Sequence, residues 1–314
     1  MTTATPETAE ETRPPFHLRD NYAPVMDEID ATDLTVVGTL PNELTGRYVR
    51  NGPNPRSGTS AHWFLGDGML HGIRLRDGRA EWYRNRWVRT GALDEPGVRM
   101  IGDDGRVDRT IGVANTHVVG HAGRILALVE SSFPHEVTPE LDTVGVHDFD
   151  GRLESAMTAH PKVCPVTGEM HFFGYGFFDP YLTYHRVSSG GELVQSEVID
   201  VPGPTMIHDF SITETHVIFM DLPVVFDLDI AMSGGMPYRW DDDFGARLGV
   251  MPRGVAGVQP TWFDVEPCYV FHPMNSFDVI GDSGSVEQIV LDTARYPELW
   301  RRDSAKFQND ASLH

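Results

Sequence analysis

Short runs of alternating apolar and polar residues, folded back on tight turns, recur along most of this chain and commit it to antiparallel β structure. The stretch LHGIRLRDGRAEWYRNRW alternates on both sides of Asp77-Gly78, a dipeptide that supplies the positive φ angles of a two-residue hairpin. The same pattern surrounds Ala122-Gly123, Asp150-Gly151, Gly190-Gly191 and Thr213-Glu214. No segment holds a 3.6-residue period over four turns. The best helix candidate is ARYPELWRRDSAKF, residues 294–307, and Pro297 weakens it. Consecutive hairpins at near-regular spacing predict an all-β meander: a sandwich array, a large barrel or a propeller, whose blades take roughly 40–50 residues. No WD or kelch signature marks the repeats. Glycine and proline, 31 and 22 in number, are spread throughout and define no linker.

Charge removes several function classes. There are 46 acidic and 25 basic side chains, a net charge of −21. That balance excludes phosphate-driven nucleic-acid binding and adhesion to an anionic membrane by charge alone. The opening MTTATPETAEETRPP is polar and acidic, without the basic and apolar regions of a signal peptide. Residues 1–15 read as a loose arm ahead of one domain over 16–314. No run reaches the roughly 18 apolar residues of a membrane span. Cys164 and Cys268, the only cysteines, read as reduced structural thiols of a cytoplasmic protein.

Fourteen histidines are the chemical anomaly. His17, His121, His135, His185 and His216 occupy polar or turn contexts and read as surface or packing residues. His160, His208 and His272 share another setting: each stands at a strand end among apolar or aromatic neighbours, as in Pro204-Thr205-Met206-Ile207-His208-Asp209-Phe210. They lie 48 and 64 residues apart, about one propeller blade or slightly more. One residue from the axial end of each blade converges on a central channel, so three such imidazoles could build a metal site. All-imidazole coordination suits Zn, Cu, Fe or Ni. Asp209 is a poor co-ligand, because adjacent residues of a strand face opposite ways. The Gly66-Asp67-Gly68 turn, with no helix after it, is a poor phosphate cradle, and His62 and His71 on either side are tempting as extra ligands.

The chain resembles the carotenoid cleavage oxygenases from about Asn21 onward. The resemblance is carried by Gly46-Arg47-Tyr48-Val49-Arg50-Asn51-Gly52-Pro53-Asn54-Pro55, by His62-Trp63-Phe64 and Gly66 to Gly72, by Ala114-Asn115-Thr116, by Leu126-Ala127-Leu128-Val129-Glu130, and by the three histidine motifs in family order. It implies a seven-bladed β-propeller capped by loops and short helices. It implies an axial Fe(II) held by four histidines, of which His160, His208 and His272 match the first three; His62 and His71 fall outside that set, which implies structural or pocket-lining roles for them. Glu130 matches the first of three glutamates that receive ligand N–H groups, a contact that fixes the tautomer and raises ligand basicity. The resemblance also implies that the fourth histidine and the other two glutamates lie beyond residue 314, so the propeller here is incomplete. His314 comes too early to be that ligand.

The implied activity is dioxygen-dependent cleavage of a conjugated C=C bond in a carotenoid or apocarotenoid, giving two carbonyl products. Stilbene cleavage and an inactive truncated scaffold remain alternatives. Non-oxidative retinoid isomerisation fits less well. Stilbene-cleaving relatives place a lysine immediately before the first glutamate to hold a phenol. Here that position is Val129, which suits a hydrocarbon, with Lys162 as the rival donor. The apolar segment from Asp221 to Met232 reads either as a tunnel-mouth patch that touches lipid or as a buried strand entering a cap loop.

Overall fold

The computed structural model of the protein describes residues 14–102 and 105–301. It is nearly all β. The first sheet holds β1 (Asp30–Ala31), β2 (Gly46–Pro53), β3 (Gly68–Arg76) and β4 (Arg79–Trp87), in the order β1-β4-β3-β2. A one-turn helix α1 (Gly91–Asp94) leads to β5 (His117–His121), β6 (Arg124–Leu128), β7 (His135–Val137) and β8 (Thr143–Val146), a simple meander. The third sheet is β9 (Lys162–Val163), β10 (Met170–Tyr175), β11 (Leu182–Val187) and β12 (Leu193–Val198), again a meander. The fourth begins with β13 (Ser211–Ile212) and β14 (His216–Asp221). It is interrupted by an inserted hairpin, β15 (Val224–Phe226), helix α2 (Leu228–Met232) and β16 (Tyr238–Trp240), and resumes with β17 (Arg247–Pro252) and β18 (Thr261–Asp264). A fifth sheet of two strands, β19 (Pro273–Ile280) and β20 (Val286–Thr293), closes the described chain.

The sheets stack side by side as blades because β alternation gives each strand two buried faces. In β10, Phe172 packs towards the second sheet with Leu126, Leu128 and Met170. Its neighbour Phe173 packs the other way, with Val217, Phe219 and Met251 of the fourth sheet. Leu70, Ala127, Val137 and Leu141 fill the seam between the first and second sheets. The first-entering strands line the axis side. Asn51 of β2 donates to the carbonyls of Ala114 and His117 at 2.7 and 3.0 Å. Ser211 of β13 meets Ser276 of β19 at 2.7 Å.

The turn chemistry is largely as the sequence predicts. Asp77-Gly78 and Ala122-Gly123 both adopt positive φ, 48° and 73°, then 48° and 79°, and close β3–β4 and β5–β6. Gly190-Gly191 lies in the β11–β12 turn, and Thr213-Glu214 closes β13–β14. Two expectations are corrected. Asp150-Gly151 forms a turn, with φ of 58° and 76°, but no hairpin. Phe149, Leu153 and Met157 after β8 are drawn into the core between the second and third sheets, so this segment crosses between blades. The residues from Ala294 to Arg301 are not helical. Tyr296 instead bridges Tyr269, and Leu299 and Trp300 are buried in the cap cluster; the rest of that candidate, with His314, lies outside the described residues. The same is true of most of the N-terminal arm. Cys164 and Cys268 are buried free thiols. Among the described residues no helix is long and apolar enough to cross a membrane.

Candidate metal centre

Each of three successive sheets delivers one histidine at the point where its axis-side strand begins. His160 precedes β9, His208 precedes β13 and His272 precedes β19. His160-Pro161 and His272-Pro273 end in proline, which biases the preceding backbone towards extended geometry. The structure brings the three imidazoles together. One ligand atom of each lies within 4.8 Å of the others, and the Nε2 atoms of His160 and His208 are 3.1 Å apart. Ring centroids are 4.5 to 4.8 Å apart within the trio.

The surroundings fix which nitrogen faces inward. His208 turns Nδ1 to Oε1 of Glu130, which leaves Nε2 as a lone pair pointing at the axis. His272 turns Nδ1 to Asp209 Oδ2 at 3.2 Å, and the other oxygen of Asp209 receives Lys162 Nζ at 2.7 Å. Asp209 stands outside the trio and orients it from behind. Burial, with the nearby His208 charge, pushes His160 down to about 3, so it is a neutral donor at physiological pH. Burial opposes charge on His208 too, but the Glu130 carboxylate outweighs it and lifts that imidazole above its ordinary value. Burial likewise raises Glu130, and His208 with Tyr175 holds it below the usual carboxylate range. At 3.1 Å the two Nε2 atoms of His160 and His208 can share a proton, or a cation in its place. The donor set therefore fits a borderline divalent metal.

The remaining sequence candidates lie elsewhere. His62 is buried beside Phe64 and Trp300, and His71 bonds the Tyr83 hydroxyl at 2.8 Å. His17, His135 and His185 are buried packing residues, while His121 and His216 are half-buried. Val129 is half-buried, its side chain on the Gly112 side. Sequence reasoning did not single out His117, which opens β5 as the trio opens its strands and stacks on His160 at 5.9 Å; that matching position was the available signal. It also missed Tyr175, whose hydroxyl donates to Glu130 Oε2 at 2.6 Å.

Blades around an axial cluster of imidazoles define a propeller-type fold with a candidate metal site. The family model described as retinal pigment epithelial membrane protein matches residues 22–312, and the chain belongs to that family, the carotenoid oxygenases. It is 41% identical to the carotenoid cleavage oxygenase of Mycobacterium tuberculosis over 96% of this chain and 68% of the relative. Among solved structures it is similar to a lignostilbene dioxygenase of Pseudomonas brassicacearum, with a TM-score of 0.74 and 28% identity over 90% of this chain and 68% of the other. It is also similar to the cobalt-substituted apocarotenoid oxygenase of Synechocystis, with a TM-score of 0.72 and 25% identity over 90% of this chain and 64% of the other.

Proposed function

We propose that the protein is an Fe(II)-dependent dioxygenase that cleaves a conjugated C=C bond of a carotenoid or apocarotenoid. One dioxygen adds across the alkene, the C–C bond breaks, and each carbon leaves as a carbonyl. The observation that carries this reading is the convergence of His160, His208 and His272, with Glu130 behind His208. Iron bound there would supply the activation of dioxygen. The chain's own residues do the rest: His160, His208 and His272 hold the metal, and Glu130 keeps the His208 tautomer that presents Nε2. The cobalt-substituted relative supports a metal on this fold. We take residues 16–314 as a partial propeller domain after an arm over 1–15, in a protein of the cytoplasm that touches membranes peripherally.

A stilbene substrate is the second reading, favoured by the likeness to a lignostilbene dioxygenase. The polar groups argue against it. The chain has two lysines, Lys162 and Lys306. Lys162 is committed to Asp209 at 2.7 Å, and Val129 offers no donor. A site that recognises a hydroxyl must pair it. In oxygen-uptake and product assays of the iron-loaded protein, an apocarotenal should be cleaved and a 4-hydroxystilbene turned over at least about tenfold more slowly. Comparable turnover of the two would contradict the substrate assignment, and failure to cleave either would contradict the reaction.

The segment from Asp221 to Met232 divides in two. Leu222, Val224 and Val225 are buried, whereas Leu228 and Met232 on α2 are 55% and 75% exposed. We assign the exposed half to lipid contact, where apolar side chains on a short surface helix can enter the headgroup boundary. Leu228→Glu with Met232→Glu should lower binding to lipid vesicles and leave metal content unchanged; vesicle binding equal to wild type would remove α2 from any membrane surface.

A further inference from the structure

A carboxylate that orients a metal ligand must itself be held, and the Glu130 side chain is held from one direction by a residue outside the ligand set. Tyr175 closes β10 in the third sheet, whereas Glu130 follows β6 in the second and His208 precedes β13 in the fourth. Its hydroxyl donates to Oε2 of Glu130 at 2.6 Å, while Oε1 faces Nδ1 of His208. The two oxygens are thus occupied by different partners, and the carboxylate cannot turn without losing one of them. Behind Tyr175 stands Tyr238, a member of the buried cap cluster against which Tyr175 packs. Tyr238 is 5% exposed, on β16 of the inserted hairpin. Burial and the Glu130 charge keep the Tyr175 hydroxyl well above its ordinary value, so it stays a donor throughout the workable pH range.

We infer that Tyr175 is a positioning residue for the metal centre: through Glu130 it locks the His208 imidazole in the orientation that presents Nε2 to the axis. The inference rests on the metal-site reading proposed above. Without the Tyr175 hydroxyl, Oε2 loses its partner in a half-buried pocket. The carboxylate is then free to rotate, and the His208 ring with it. Outer partners of metal-bound histidines typically contribute about 10–100-fold to metal affinity. A donor one bond further out belongs at the lower end.

The test is titration of the metal-free protein with Co(II), followed by calorimetry and by the visible cobalt spectrum. Tyr175→Phe keeps the ring packed and removes only the hydroxyl. It should weaken cobalt binding about tenfold and alter the spectrum. Tyr184→Phe is the control, since it deletes an equally buried hydroxyl that bonds His171 at 2.6 Å; it should leave cobalt affinity and spectrum alone. Because Tyr175 acts through Glu130, the double variant with Glu130→Gln should bind cobalt no more weakly than Glu130→Gln by itself. Additive losses, or wild-type affinity and spectrum in Tyr175→Phe, would overturn the inference and leave the metal site standing. A wild-type protein that takes up no cobalt would sink the metal site and this inference together. Should Tyr175→Phe not fold, Tyr175→Met, which keeps an apolar side chain and offers Glu130 no donor, is expected to weaken cobalt binding by a similar factor, and unchanged affinity there also overturns the proposal.

Discussion

Replacing His208 with alanine is expected to abolish stoichiometric metal binding while the blades stay folded. The imidazole contributes the Nε2 that lies 3.1 Å from its counterpart on His160, and no other nitrogen among the described residues enters the trio. The loss should exceed the roughly 10–100-fold that an outer partner contributes. Alanine also strips Glu130 of its His208 contact, and a buried acceptor left unpaired costs about 1–3 kcal/mol. His208→Asn separates the two effects. Its amide can reach Glu130 where Nδ1 stood but offers nothing to the axis, so it should melt close to wild type and still bind no metal. Metal analysis and thermal melting of both variants check this, and wild-type metal content in either would remove His208 from the ligand set.

Acid is expected to unfold the protein well before its carboxylates titrate. His135 and His171 are pushed down to about 4 and His185 to about 3, in each case chiefly by burial. All three are 2% exposed or less. The unfolded chain protonates these imidazoles below about pH 6.5, whereas the folded chain does not until near pH 4 or 3. Stability is therefore fully present above pH 6.5 and is lost as pH falls through that value, the loss levelling off near the folded values. At pH 5 each histidine contributes about 2 kcal/mol of destabilisation, and three together approach the 5–15 kcal/mol that typically holds a domain. Melting of the metal-free protein between pH 7.5 and 4.5 reads this directly. His135→Gln should flatten the curve by about one third of the effect of the three. A melting temperature that is level from pH 7 to 5 would show that these imidazoles are solvated.

Much of this was legible in the sequence, for local reasons. The Asp77-Gly78 and Ala122-Gly123 turns are written into dipeptides that tolerate positive φ. Alternation in MHFFGY names both faces of β10 before any partner is known. The convergence of the three histidines was legible because each occupies an equivalent place, just ahead of a first-entering strand. What was hidden depends on side chains meeting across blades. Asp150-Gly151 has the signature of a hairpin, yet Phe149 and Leu153 find more burial between sheets than a partner strand would give them. Asp209 was read only as a candidate ligand and set aside; its place behind His272, with Lys162 on its other oxygen, follows from the turn before β13 and from no spacing. Tyr175 reaches Glu130 across 45 residues, and nothing in either segment announces the other.

His160, His208 and His272 are proposed to share one metal ion on the propeller axis. Anomalous scattering from crystals of the Fe(II)- or Co(II)-loaded protein, collected at the metal edge, tests it most directly. One strong peak is expected within bonding distance of all three imidazoles, with Nδ1 of His208 still on Glu130. A metal-loaded crystal with its peak elsewhere, or with the three rings turned away from it, would contradict it.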